Sequence, residues 1–119
     1  MLPIQITYHG IEPSDALTEL IHTRSGQIDR LNDRIHALRV LVDAPHHHQR
    51  HGRRYRVRLE LTLPGRDLVV GHDDDDHVLD DDAYQAVRRA FDALRRKLTT
   101  TQMRRRGKQR AHAALRVAR

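Results

Sequence analysis

Two polar segments of the chain carry side chains that commonly bind metal ions. Residues 45–56, PHHHQRHGRRYR, contain four histidines and four arginines, and residues 73–82 contain seven aspartates. A structural zinc site needs cysteine or well-spaced histidine with hydrogen-bond acceptors behind it, and the aspartate run lacks the glycine and the closing glutamate of an EF-hand loop. His46, His48 and His51 are therefore candidates for adventitious metal binding only. The sequence predicts no specific metal site and no cofactor.

A second group of side chains, arginines at helical spacing, is suited to binding phosphates. Arg88 and Arg95 are two helical turns apart, and so are Arg89 and Arg96. All four lie off the apolar stripe of their predicted helix, and each guanidinium can hold two phosphate oxygens. The alternative interpretation is an ordinary solvated face, in which Asp92 pairs with its helical neighbours Arg88, Arg95 and Arg96.

The distribution of charge favours a polyanionic partner such as nucleic acid. The net charge is +6, and residues 104–119 contain seven basic residues and no acidic one. This basic tail, which includes Arg104 and Arg105, could add affinity for RNA by releasing counterions, or could only improve solubility. Possible loop contacts to RNA or protein stand at the end of the histidine-rich segment: Arg53, Arg54 and Arg56.

The elements that must position these side chains can be predicted from apolar periodicity. Alternating apolar and polar residues predict strands at 4–10, 36–45, 53–63 and 67–72, and helical periodicity predicts helices over 14–35 and from about 81 to 103 or beyond. Ser14 or Asp15 can cap the first helix, and the aspartates before the second can cap that one. Both apolar stripes need cover, which one face of the sheet can supply.

The predicted fold class is therefore α+β. We expect a β-α-β-β-β-α two-layer sandwich, with two helices on one face of a four-stranded sheet and the other face open to water. The expected domain covers residues 1–103, and the basic tail at 104–119 either extends the last helix or stays disordered. Arg24 falls inside the apolar stripe of the first helix. It is either a charge held between the helices and aimed at a phosphate, or a snorkelling or aspartate-paired side chain.

The composition argues against several classes of protein. Without cysteine, a disulfide framework and thiolate chemistry are excluded. No run approaches the ~20 apolar residues of a membrane span, and residues 1–10 do not resemble a signal peptide. No nucleophile–base spacing, glycine-rich phosphate loop or HExxH motif is present. We therefore expect a cytoplasmic protein that is not an enzyme.

Three segments resemble one protein family. SDALTELIHTRSGQIDRLNDRI (14–35) and DDAYQAVRRAFDALRRKL (81–98) look like the two helices of the hibernation-promoting factor and ribosome-associated inhibitor family, also called sigma-54 modulation proteins, in its short form. LELTLPGRDLVV (59–70) fits the family's hairpin, and the resemblance covers residues 4 to about 100. It implies a double-stranded-RNA-binding-like fold. It also implies binding to the small ribosomal subunit and its RNA, in the channel of messenger and transfer RNA, so that idle ribosomes are silenced.

The resemblance also implies which residues would contact RNA, but the sequence departs from the family pattern at several positions. The candidates are the basic residues of both helices and of the start of the tail: Arg24, Arg30, Arg88, Arg89, Arg95, Arg96, Lys97, Arg104 and Arg105. Positions where the family has lysine carry Gln27, Ala93, Thr99 and Thr100 instead. The alternative function is therefore that of a divergent paralogue, a metal-binding or regulatory protein acting through its His-rich and Asp-rich loops. The sequence makes no prediction about self-association or about dimerisation of ribosomes.

Overall fold

The computed structural model describes residues 2–44, 55–71, 79–80 and 82–117, with residues 79–80 and 108–117 described by their backbone only. The elements follow one another as β1 (Ile4–His9), α1 (Asp15–Asp29), β2 (Ala37–Asp43), β3 (Tyr55–Leu63), β4 (Arg66–Val70), β5 (Leu79–Asp80) and α2 (Ala83–Val117). His46, His48, His51, Arg53 and Arg54 lie outside the described residues, as does most of the aspartate run.

The strands form one mixed sheet in the order β1-β2-β3-β4. β1 runs parallel to β2, with Ile4 opposite Leu38, and the remaining pairs are antiparallel. The two-residue strand β5, which the sequence pattern did not predict, pairs with the start of β3 where Tyr55 lies opposite Asp80. The predicted α+β class and its four main strands are confirmed.

Both helices cover the same face of the sheet, and the core lies between these two layers. Alternation along β2 and β3 turns Leu38, Val40, Val57, Leu59 and Leu61 towards the helices, where all are at most 1% exposed. The helices bury the apolar side chains that their periodicity predicts: Leu17, Ile21 and Ile28 from α1 and Val87, Phe91, Leu94 and Leu98 from α2. Apolar burial of this extent is the main stabilising contribution to the fold.

α1 begins where the sequence predicts but ends earlier. The Ser14 hydroxyl accepts the backbone N–H of Leu17 at 3.2 Å, which makes Ser14 the N-cap. The predicted extension to Ile35 is wrong, since the helix ends at Asp29. The Asn32 side chain accepts the N–H of Arg34 at 2.7 Å, and such a local turn competes with helical hydrogen bonds. Ile35 is still half-buried against the core, so its apolar character reflects loop packing.

α2 is much longer than the core requires. The Asp82 carboxylate accepts the N–H of Tyr84 at 2.9 Å, so an aspartate of the acidic run caps the helix as predicted. The helix has 35 residues, which corresponds to about 52 Å. Leu98 is the last buried residue up to position 107, and residues 103–107 are exposed. The backbone of the basic tail is helical as far as Val117.

Candidate nucleic-acid interface

A groove with a volume of about 390 Å³ runs between α1 and α2. Ile28, Leu31 and Phe91 form its apolar base. The polar side chains around it come from both helices and from the residue after α1: Arg24, Gln27, Arg30, Asp92 and Arg95. Three guanidiniums and one carboxylate therefore border a single depression, which carries a net positive charge.

Arg24 lies at the centre of this groove and connects the two helices. Its Nη1 is 3.7 Å from Oδ1 of Asp92 and donates a long hydrogen bond of 3.5 Å to Oε1 of Gln27. The Arg24 side chain is 28% exposed and that of Asp92 is 55% exposed. The two interpretations of Arg24 thus both apply in part, because it is paired with an aspartate and also lies in the inter-helix groove.

The ion pair of Asp92 differs from the one that helical spacing suggests. The alternative interpretation of the α2 arginines pairs Asp92 with Arg88, Arg95 and Arg96 of its own helix, but the salt bridge within 4 Å in the described part of the chain joins it to Arg24. Arg88 instead donates to Oε1 of Gln85 at 3.5 Å. Among the described residues, the Asp92 carboxylate thus pairs across the groove with α1 and not along its own helix.

The arginines of α2 spread outwards from the groove. Arg95 borders the groove itself, and Arg88 lies two turns before it on the same side of the helix. Arg89 and Arg96 each follow one residue later, and are therefore about 100° further round towards solvent. Arg89, Arg95 and Arg96 are all exposed. Arg24, Arg30 and Arg95 thus border the groove, and Arg88, Arg89 and Arg96 extend this basic surface along α2.

Lys97 has a different environment from the arginines beside it in sequence. Its ammonium donates a hydrogen bond of 2.7 Å to the carbonyl oxygen of Val69 in β4, and the residue is half-buried. β4 is the edge strand of the sheet, whose free carbonyls need partners. Lys97 therefore satisfies a backbone acceptor at the sheet edge, away from the groove. Its predicted contact with RNA is the least favoured by geometry.

Arg56 lies on the opposite side of the molecule. It follows Tyr55 in β3, and residues on the same strand alternate between faces, so Arg56 faces away from the helices whereas its neighbour Val57 is buried in the core. The open face also carries Glu60, which accepts a hydrogen bond of 2.8 Å from Arg58 and lies 3.9 Å from Arg39. The fold does not bring Arg56 together with the arginines of the helices.

A second basic pocket lies at the end of the molecule where α2 passes the sheet. It has a volume of about 470 Å³ and includes Arg104 and Arg105, which the basic tail predicted, together with Arg34 and Arg66, which sequence reasoning missed. Arg34 lies in the loop after α1, and Arg66 is the first residue of β4, next to the β3–β4 turn. Sequence spacing gives no signal for them, because only the tertiary fold brings these two segments to α2.

Two other classes of site find no support in the part of the chain that the structure describes. Within it, no group of three or more histidine, aspartate or glutamate side chains could hold a metal ion. No helix in the same residues is both long enough and apolar enough to cross a bilayer.

Comparison with known proteins agrees with the fold described above. The family described as sigma 54 modulation protein / S30EA ribosomal protein matches residues 4–106. A ribosomal subunit interface protein from Coxiella burnetii superposes with a TM-score of 0.70 at 22% identity, over 86% of this chain and 99% of that one. The N-terminal domain of Protein Y from Thermus thermophilus superposes with a TM-score of 0.66 at 22% identity, over 85% of this chain and 99% of that one. No curated protein sequence matches the chain.

At this level of identity the two structures establish the fold, and they are similar to this chain over nearly their whole length. The family match extends over both helices, all the main strands and the start of the basic tail. It therefore includes each element that contributes an arginine to the groove. The chain belongs to the sigma 54 modulation protein / S30EA ribosomal protein family, the family of ribosome-associated proteins that its sequence resembles.

Proposed function

We propose that this protein binds ribosomal RNA of the small subunit through the basic surface around the α1–α2 groove. By occupying the channel of messenger and transfer RNA, it would inhibit translation and keep idle ribosomes silent. The observation that carries the proposal is the convergence of Arg24, Arg30 and Arg95 on one groove, next to the exposed arginines of α2. Membership of a ribosome-associated family supports the same partner. The protein would act in the cytoplasm, where ribosomes are.

The chemistry of the groove suits a folded RNA backbone. Guanidinium groups hold phosphate oxygens in pairs through a rigid planar fork, which the ammonium group of lysine lacks. Folded RNA is recognised largely through its shape, its phosphates and its 2′-hydroxyls. The groove needs no reactive group for this function, because a protein that occupies the channel acts by exclusion. Binding of this type weakens steeply as salt concentration rises.

The alternative function, a metal-binding or regulatory paralogue, has less support. It depends on His46, His48 and His51 and on the aspartate run, which lie largely outside the described residues. Of the departures from the family pattern, Gln27 lies in the groove itself, yet it hydrogen-bonds Arg24 and so takes part in the basic surface. Calorimetric titration of the protein with zinc ions would test the alternative directly, and specific stoichiometric binding would favour it.

The test of the proposed function is co-sedimentation with purified small subunits, using two matched charge reversals. Arg95→Glu alters the groove, and Arg39→Glu alters an exposed arginine on the open sheet face. We expect Arg95→Glu to weaken binding by about tenfold or more, equivalent to about 1.4 kcal/mol, and Arg39→Glu to have a much smaller effect. Circular dichroism should show that both variants stay folded, because neither side chain belongs to the core.

Two results would contradict the proposal. Equal losses in both variants would mean that binding depends on net charge alone, and unchanged binding by Arg95→Glu would remove the groove from the interface. The position in the channel needs a separate measurement. Small subunits already loaded with messenger and transfer RNA should exclude the protein, and simultaneous binding would place it elsewhere.

A further inference from the structure

The pocket at the far end of α2 combines an apolar floor with a rim of arginines. Leu63, Pro64 and Leu98 form the floor, and the pocket is open to solvent beside the exposed Pro64. Four guanidinium-bearing residues surround it: Arg34, Arg66, Arg104 and Arg105. They come from three separate segments, namely the loop after α1, the start of β4 and the part of α2 that extends past the core.

No described residue balances the charges of this rim through an ion pair within 4 Å. Among the residues that the structure describes, none of the four guanidiniums forms a salt bridge or a side-chain hydrogen bond. Asp33 borders an adjacent groove that also contains Arg34, but no ion pair within 4 Å joins the two. Like charges gathered around one pocket repel each other, and a bound anion would relieve that repulsion.

The segments that carry the rim are held in fixed relative positions. The side-chain amide of Gln102 in α2 donates to the carbonyl oxygen of Leu31 at 2.7 Å, which ties the loop after α1 to the helix. Asn32 then fixes the turn that leads to Arg34. Gly65, with φ of +76°, allows the tight β3–β4 turn next to Arg66. The pocket is therefore part of the folded domain, although α2 continues beyond it.

We infer that this pocket binds one unpaired nucleotide of the bound RNA, with the base against Leu63 and Pro64 and the flanking phosphates on the arginine rim. Bases pack against apolar side chains and stack on guanidinium planes, whereas the phosphates need the charge. An arginine rim alone would suit any anion, but the apolar floor adds a preference for a base. The inference rests on the proposed function for RNA as the partner, and it assigns a second contact, with single-stranded RNA, beyond the groove.

The experiment compares two probes that carry the same charge. The full-length protein is titrated with a five-nucleotide adenosine RNA and with an abasic ribose-phosphate chain of the same length, and backbone amide shifts are recorded by NMR. We expect the adenosine RNA to bind at least about fivefold more tightly and to shift the amides of Asn32, Arg34 and Arg66. Arg66→Ala should lose most of this binding, whereas the control Arg39→Ala should retain it.

Three outcomes would overturn the inference: equal binding of the abasic chain, equal effects of Arg66→Ala and Arg39→Ala, or adenosine monophosphate binding as tightly as the RNA, which would indicate a site for free nucleotides. The measurement is also repeated with Arg95→Glu. A base-dependent difference that persists in this variant shows that the pocket acts independently of the groove. Failure of the ribosome assay would then refute the proposed function without affecting the pocket. Failure of the oligonucleotide titration would refute the pocket without affecting the proposed function.

Discussion

The Arg24–Asp92 pair determines how much positive charge the groove presents. At 3.7 Å with both side chains partly exposed, it is a weak ion pair, of the kind worth about 0–1 kcal/mol to stability. Its larger effect is on the partner, because the carboxylate of Asp92 stands where phosphates would approach Arg95 and Arg24. Under the proposed function, the pair would therefore position Arg24 at some cost in RNA affinity.

Replacing Asp92 with asparagine should strengthen binding to small subunits. The substitution keeps the shape of the side chain and removes a charge that repels phosphates, so we expect affinity at low salt to rise by about two- to fivefold. The free energy of unfolding should change by less than about 1 kcal/mol. Glu19→Gln is the control, since it removes one negative charge from an exposed position of α1. An equal gain in both variants would show that only net charge matters.

At the scale of the elements, three glycines differ in backbone conformation and in the space around them, so substitutions there distinguish backbone strain from steric clash. Gly26 lies within α1, and a Cβ atom added there would meet no atom within 4 Å. Gly65 has φ of +76° and the same open surroundings, whereas at Gly10, with φ of +75°, a Cβ atom would stand 2.5 Å from the carbonyl oxygen of Ala44. A larger residue therefore fits at Gly26. Gly65 requires the backbone freedom of glycine, and Gly10 requires both that freedom and the absence of a Cβ atom.

Alanine at these three positions should give a graded series in urea unfolding. Gly26→Ala should stabilise the protein by about 0.5–1 kcal/mol, because alanine is the better helix former. Gly65→Ala should cost about 1–2 kcal/mol from the left-handed backbone alone, and Gly10→Ala should cost more because the backbone must also shift. If Gly10→Ala lowered the free energy of unfolding no more than Gly65→Ala, the close approach of Gly10 to the carbonyl oxygen of Ala44 would be wrong.

The elements themselves were largely predictable from the sequence, because burial follows periodicity. The alternation in β3 and the helical spacing in α2 reflect the same two-layer packing that the structure contains. The error at the end of α1 has a physical cause. Leu31 and Ile35 continue the apolar pattern and are half-buried, but a turn at Asn32 carries them on a loop. Apolar spacing records burial and does not by itself distinguish a helix from a packed loop.

Helical spacing predicted the part of the candidate site that lies on α2. The rows Arg88–Arg95 and Arg89–Arg96 follow from helical geometry alone. In contrast, Arg34 and Arg66 reach the end pocket through the connection of distant segments, which no local pattern encodes. The preference of Asp92 for Arg24 over its helical neighbours is likewise a tertiary contact. Pairing across elements depends on how the layers pack, and that information is spread over the whole chain.

For the whole molecule, the main question is whether the part of α2 that extends past the core folds together with the domain predicted at residues 1–103. The sequence predicts a boundary between residues 103 and 104, whereas α2 runs without interruption from Ala83 to Val117. Residues 103–107 are exposed, and an isolated helix without tertiary packing is only marginally stable in water. Residues 104–106 still border the pockets at the end of the sheet, so we expect only α2 from Gly107 onwards to form and melt independently of the core.

Gly107 allows this independence to be tested with two substitutions at one position. Proline there removes a backbone hydrogen bond and clashes with the carbonyl four residues earlier, whereas alanine, with no atom within 4 Å of its Cβ, favours the helix by about 1 kcal/mol. Circular dichroism at 222 nm should therefore show less helix for Gly107→Pro and slightly more for Gly107→Ala.

Leu98, the last buried residue up to position 107, lies more than two turns before the substitution. The main thermal transition should consequently shift by less than about 2 °C in both variants, since a shift of that size corresponds to well under 1 kcal/mol. A lower transition temperature for the proline variant would mean that residues beyond 106 also belong to the cooperative core, and the domain boundary would then have to be moved further towards the end of α2.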